Sequence, residues 1–126
     1  MKTFTLLTFT TSVLLAAITN GVPVATAHSF PEEETPSAGQ RVSAPPSEVT
    51  IKFDAPIEKV FAKLEVLGTD GKLETIGQPQ VDPSALTLSV KVAALKPGDY
   101  TVKWGVVCID SHHTEGSYIF TVAGGG

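Results

Sequence analysis

Apolar and polar residues alternate along most of the chain after residue 48, which is the pattern of half-buried β-strands. Val49, Ile51 and Phe53, for example, alternate with Thr50 and Lys52. Successive side chains of a strand point to opposite faces, so such a segment buries one face and exposes the other. The predicted strands cover residues 49–53, 62–67, 72–76, 85–92, 100–109 and 118–122.

The segments between these strands carry turn chemistry. Asp70-Gly71 predicts a tight type I′ hairpin turn that pairs residues 72–76 with residues 62–67, and residues 95–99 form a second turn cluster. Residues 55–61 are predicted to form a short helical turn. The proline-rich segment 28–47 predicts an extended leader that pairs at a sheet edge. We therefore expect an all-β Greek-key sandwich or barrel of about seven strands.

The first 27 residues have the three-part layout of a secretory signal peptide. Lys2 is followed by an apolar stretch at residues 5–18, and Ala25-Thr26-Ala27 places small residues where a signal peptidase cuts. The apolar stretch is shorter than the ~20 residues that cross a bilayer. We expect cleavage after Ala27, one mature domain at residues 28–126, and a location in the periplasm or outside the cell.

Charge and cysteine content narrow the functions of the mature chain. Cleavage leaves 8 basic and 13 acidic side chains, a formal charge of −5, which argues against nucleic acid as a partner. The single cysteine, Cys108, has no partner for an internal disulfide. Free cysteines are commonly buried, so Cys108 is predicted to be a core thiol, and Trp104 a core aromatic.

Three residues form a candidate metal site. In an extended segment Asp110 and His112 project to the same side, with Ser111 turned away. Cleavage after Ala27 gives His28 a free α-amine beside its imidazole, so that one residue can chelate a metal with two nitrogens. Nitrogen and oxygen ligands without sulfur favour copper(II), and the chain's single methionine, Met1, leaves with the signal peptide. Without the terminus, Asp-x-His is a weak signal and is more typical of a polar loop than of a metal site.

The same residues belong to a pattern that resembles the CopC/PcoC copper-resistance family. The resemblance covers essentially all of residues 28–126. Its amino-terminal part consists of His28, Thr35-Pro36-x-x-Gly39, residues 49–53 and Pro56. Its carboxyl-terminal part consists of Leu95-x-Pro97-Gly98-x-Tyr100-Thr101-Val102-x-Trp104, Val106-Val107-x-x-Asp110-x-His112-x-x-x-Gly116 and Phe120-Thr121-Val122.

This resemblance implies a cupredoxin-like or immunoglobulin-like sandwich that binds one copper(II) ion per chain through His28, Asp110 and His112. It also implies a role in copper tolerance or delivery, often beside a membrane copper importer, and we expect a monomer. Two departures from the family stand out. The methionine-rich copper(I) loop of some members is absent, which implies a copper(II)-only form. His113 stands where proline is common, and its neighbour position directs it away from the site.

Two other functions fit some of these residues. A terminal histidine with a second histidine also forms the copper brace of oxidative polysaccharide-cleaving enzymes, but Asp110 would occupy a position that oxygen needs. We therefore expect a copper-binding protein rather than an enzyme. In the other alternative, the histidines are incidental to a structural module. If the chain binds copper through this ligand set, its affinity for copper should fall as the pH drops below about 6. The reason is that protons compete with copper for the imidazole and α-amine nitrogens.

Overall fold

Two four-stranded β-sheets pack face to face in the computed structural model, which describes residues 29–124. The predicted signal peptide and His28 lie outside the described residues. The strands are β1 (Pro31–Thr35), β2 (Arg41–Val42), β3 (Glu48–Phe53), β4 (Lys63–Leu67), β5 (Thr75–Val81), β6 (Thr87–Val92), β7 (Gly98–Val107) and β8 (His113–Val122). No helix in residues 29–124 is long and apolar enough to cross a membrane.

The chain crosses repeatedly between the two sheets. One sheet has the order β1-β3-β6-β5 and the other the order β2-β8-β7-β4. All neighbours are antiparallel except β2, which runs parallel to β8. The all-β sandwich predicted from the alternation is confirmed, with eight strands in place of about seven.

The proline-rich leader forms the edge strands that were predicted. β1 pairs with β3 alone, and β2 pairs with β8 alone, so each lies at the edge of its sheet. Of the three glutamates of β1, Glu32 and Glu33 are exposed and Glu34 is half-buried. Glu32 forms an ion pair of 3.4 Å with Lys52 on β3. Edge strands tolerate proline because one side of their backbone needs no partner.

Two local predictions were wrong. Residues 55–61 form no helix; instead Ile57 makes an isolated bridge to Cys108 and is buried. Residues 72–76 do not form a strand paired with β4; the pairing is limited to an isolated bridge between Leu67 and Leu73. The chain then crosses to the other sheet, where β5 pairs with β6. The Asp70-Gly71 turn is not type I′, since only Gly71 of the two has a positive φ, at 77°.

The core lies between the sheets and is built from the inward residues of β3, β4, β6, β7 and β8. Trp104 is buried, as predicted, and its ring meets Phe53 edge-on with centroids 5.4 Å apart. On the neighbouring strand Gly116 faces the same ring, and a Cβ added there would lie 2.7 Å from Trp104 Cζ2. Glycine at 116 therefore leaves the space that the indole fills.

Candidate metal centre

The candidate ligands Asp110 and His112 lie in the loop that joins β7 to β8. Cys108 N donates to His112 O at 2.8 Å, and Ser111 N donates to Cys108 O at 2.9 Å. Ser111 has a φ of 73°. These features define a common three-residue hairpin loop, in which a turn is followed by a residue in the left-handed region. The loop comprises Ile109, Asp110 and Ser111, closed by Cys108 and His112.

The loop brings the carboxylate and the imidazole together. Asp110 Oδ2 lies 3.0 Å from His112 Nδ1, and Asp110 Oδ1 accepts a hydrogen bond of 3.2 Å from the His112 backbone N–H. The two side chains are 31% and 63% exposed, so both can be reached from solvent. The carboxylate is thus oriented by the residue with which it would share a metal.

The reason for this proximity differs from the sequence prediction. Asp110 and His112 were expected on one side of an extended strand, but β7 ends at Val107 and a tight turn brings them together. The loop after β4 has the same construction. Gly68 N donates to Lys72 O and Gly71 N donates to Gly68 O, both at 2.9 Å, while Asp70 Oδ1 accepts from Lys72 N at 3.0 Å.

Ser29 lies against this loop and is completely buried. Its backbone N–H donates to Cys108 Sγ at 2.9 Å, and its hydroxyl donates to the carbonyl oxygen of Pro56 at 3.1 Å. Its own carbonyl oxygen accepts from Thr114 Oγ1 at 2.9 Å. Both backbone groups and the side chain of Ser29 are therefore satisfied by residues on three separate segments.

The next residue extends this attachment. Phe30 N donates to Asp54 Oδ1 at 2.8 Å, and Asp54 N donates back to Phe30 O at 3.0 Å. Asp54 thus has its Oδ1 engaged in holding the amino-terminal segment. Before β1 begins, Ser29 is fixed beside the end of β7 and Phe30 beside the end of β3.

Cys108 and His113 lie where they were predicted from the sequence. Cys108 is a buried free thiol. His113 is exposed and starts β8 opposite Val107, on the face of the sheet turned away from the core. Its Nε2 lies over Gly105, 3.4 Å from the place of an added Cβ. Glu115 is exposed on the same outer face, so neither residue points toward the interior with Thr114.

Within residues 29–124, no group of three or more His, Cys, Asp or Glu side chains could hold a metal ion. Asp110 and His112 are two of the three predicted ligands, and His28 lies outside the described residues. The contacts of Ser29 with Cys108 and Thr114 were not predicted from the sequence. They join residues 79 and 85 positions apart, and no periodicity or motif connects such positions.

A comparison with models of protein families shows to which family the chain belongs. The model of the CopC domain matches residues 31–123. The chain belongs to the CopC family. It is 33% identical over 112 residues to the protein YobA of Escherichia coli K12, covering 86% of this chain and 90% of YobA. It is also 26% identical over 98 residues to the copper transport protein CutJ of Bacillus subtilis, covering 76% of this chain and 18% of CutJ.

Solved structures of family members share the fold. The crystal structure of CopC from Methylosinus trichosporium OB3b matches with a TM-score of 0.71 and 32% identity, covering 76% of this chain and 94% of that one. PcoC, a methionine-rich copper resistance protein from Escherichia coli, matches with a TM-score of 0.64 and 25% identity, covering 76% and 99%. The proteins to which this chain is similar thus include ones named for copper resistance and for copper transport.

Proposed function

We propose that the chain is an exported protein that binds one copper(II) ion through the amino-terminal His28, Asp110 and His112. The observation that carries this proposal is the Asp110–His112 pair, 3.0 Å apart, in a loop against which the buried Ser29 is held. Residue 28 is bonded to the nitrogen of Ser29 that donates to Cys108. The attachment of Ser29 beside the loop therefore supports a contribution of His28 to the same site.

The spacing of the pair fits neighbouring metal ligands. Protein nitrogen and oxygen ligands lie about 2.0–2.2 Å from a metal of zinc's size. Two such ligands at right angles, as in a tetragonal copper(II) site, are about 2.8–3.1 Å apart. The 3.0 Å between Asp110 Oδ2 and His112 Nδ1 falls in that range. Alternatively the carboxylate orients the ring for binding through Nε2, as carboxylates do for metal-bound histidines.

Processing after Ala27 completes the ligand set. A free α-amine and an imidazole on His28 add two nitrogens, giving three nitrogens and one oxygen with Asp110 and His112. This set suits copper(II). The chain has one methionine, Met1, in contrast to the methionine-rich PcoC, so the thioether ligands that copper(I) prefers are missing from the mature protein.

The family and the proposed export together support a biological role in handling copper. We infer that the mature chain works in the periplasm or outside the cell, where it sequesters copper or passes it to a membrane copper transporter. CutJ supports the second role, because a region similar to this chain makes up 18% of a protein named for copper transport. Binding and transfer, rather than catalysis, fit a ligand set in which Asp110 fills a position that an oxidative enzyme leaves open.

The test is a competition titration of copper(II) against two forms of the protein, one starting at His28 and one with a single extra residue before it. The extension converts the α-amine into a peptide amide. We expect one tightly bound copper in the first form and binding weaker by at least about a hundredfold in the second, since losing even an outer contact of a metal ligand costs 10- to 100-fold. Equal affinities would reject His28 as a ligand.

A further inference from the structure

Ser29 is the one polar residue that is fully buried in the described part of the chain, and its partners lie on both sides of the metal-binding loop. Cys108 immediately precedes the loop and accepts the Ser29 N–H, while Thr114 follows it and donates to the Ser29 carbonyl oxygen. The loop and the amino-terminal segment are therefore joined by side chains that do not themselves belong to the proposed ligand set.

These contacts are costly to lose. A buried backbone group without a partner carries the full penalty of its removal from water, which exceeds the net gain of the bond when it is made. Ser29 therefore has two main states: docked with its partners, or released into solvent with its groups hydrated. Thr114 and Cys108 stabilise the docked state because each supplies a hydrogen-bond partner to the Ser29 backbone, which water must replace when Ser29 is released.

We propose that Thr114 and Cys108 are positioning residues for copper capture, because they hold Ser29, the neighbour of the proposed ligand His28, beside the Asp110–His112 loop. This inference rests on the proposed function. The Cys108 thiol acts here as a hydrogen-bond acceptor inside the core and not as a copper ligand, since it is 1% exposed and its Sγ lies 2.9 Å from the Ser29 nitrogen.

Docking and copper binding are then linked. If copper is held tightly only when Ser29 is docked, the apparent affinity falls in proportion to the docked fraction. By reciprocity, copper must stabilise docking by the same factor. Copper should therefore slow hydrogen exchange of the Ser29 and Phe30 amides, which donate to Cys108 Sγ and Asp54 Oδ1.

The variants that test this keep the shape of residue 114 and change its hydroxyl. Thr114→Val removes the donor to Ser29 O, and Thr114→Ser retains it. Thr121→Val is the matched control, because the Thr121 hydroxyl lies on the same strand and donates at 2.7 Å to Asp99, away from the loop. Thr114→Val is also combined with Cys108→Ala to remove both side-chain partners of the Ser29 backbone.

We expect Thr114→Val to bind copper(II) about three- to tenfold more weakly, the scale of one net hydrogen bond, and the double variant to bind more weakly still. Exchange of the Ser29 and Phe30 amides should accelerate in the same order without copper. Thr114→Ser should stay near the wild type, and Thr121→Val should change neither readout. A role of Thr114 in stability alone would lower the unfolding midpoint without moving copper affinity.

The outcomes separate this inference from the function on which it rests. If an extra residue before His28 leaves the copper(II) affinity of the wild type unchanged, the proposed function fails. If the wild type depends on its terminus but the double variant binds copper as tightly, the positioning role of Thr114 and Cys108 is wrong and the ligand set stands. Faster amide exchange without weaker binding would also overturn the inference.

Discussion

His112 Nδ1 lies 3.0 Å from Asp110 Oδ2, and the carboxylate also accepts the backbone N–H of His112 through its other oxygen. One aspartate thus fixes both the loop and the ring orientation. The equivalent Asp70 in the loop after β4 makes the same backbone contact with Lys72, where no imidazole is present. The backbone contact therefore belongs to the loop type, and the contact with the imidazole is what distinguishes the candidate metal site.

The first prediction separates these two roles. Asp110→Asn retains an oxygen that can accept the His112 N–H but removes the charged ligand, and His112→Gln removes the imidazole. Each is expected to weaken copper(II) binding at least about tenfold, measured by competition titration, with little effect on unfolding. His113→Gln is the control, because His113 lies on the outer face of the sheet. A loss with His113→Gln equal to that with His112→Gln would contradict the assignment.

The second prediction concerns Ser111, whose φ of 73° is in the left-handed region. This conformation costs an L-residue roughly 1–2 kcal/mol, and β-branched residues adopt it least readily. Ser111→Gly should raise the free energy of unfolding by up to about 1 kcal/mol, and Ser111→Val should lower it by about 1–2 kcal/mol. Denaturant unfolding measures both. A loop that tolerates valine without loss would show that the turn is not required.

The sequence predicted the strands that have one face in the core, but it did not predict the loop geometry or the tertiary contacts of the candidate site. Alternation predicted β3, β4, β6 and β7 to within a few residues, because each has one face in the core. It missed the first half of β8, where polar His113 and Glu115 lie on the outer face and Gly116 supplies no apolar signal. The Asp110–His112 pair was predicted from an extended geometry that a turn replaces, and the Ser29 contacts depend on the tertiary fold.

The third prediction compares two tyrosines of the core. Tyr100 OH donates to Lys96 O at 2.6 Å, closing the turn before β7. The buried Tyr118 hydroxyl has no hydrogen-bond partner within residues 29–124. Tyr100→Phe should lower the free energy of unfolding by about 1 kcal/mol, while Tyr118→Phe should be neutral or raise it by about 1 kcal/mol. Equal losses in the two variants would mean that Tyr118 has an unrecognised partner.

A pH dependence follows for Tyr118. Burial raises the pKa of its phenol above the ordinary value, and the nearby charge of Glu34 adds to the effect. The folded state therefore keeps a proton that the unfolded chain releases at about pH 10, so the stability present below that pH is lost as the pH rises further. Tyr118→Phe removes this contribution. Its unfolding midpoint should fall less steeply above pH 10 than that of the wild type, measured by thermal unfolding.

We propose that the processed amino terminus and the Asp110–His112 loop bind the same copper ion. Electron paramagnetic resonance of the 1:1 copper(II) complex tests it most directly, on the protein starting at His28 and on the form with one residue added before it. We predict a single tetragonal spectrum with nitrogen couplings that changes when the α-amine becomes an amide. Identical spectra from the two forms would reject a shared site, because copper would then be bound without the terminus.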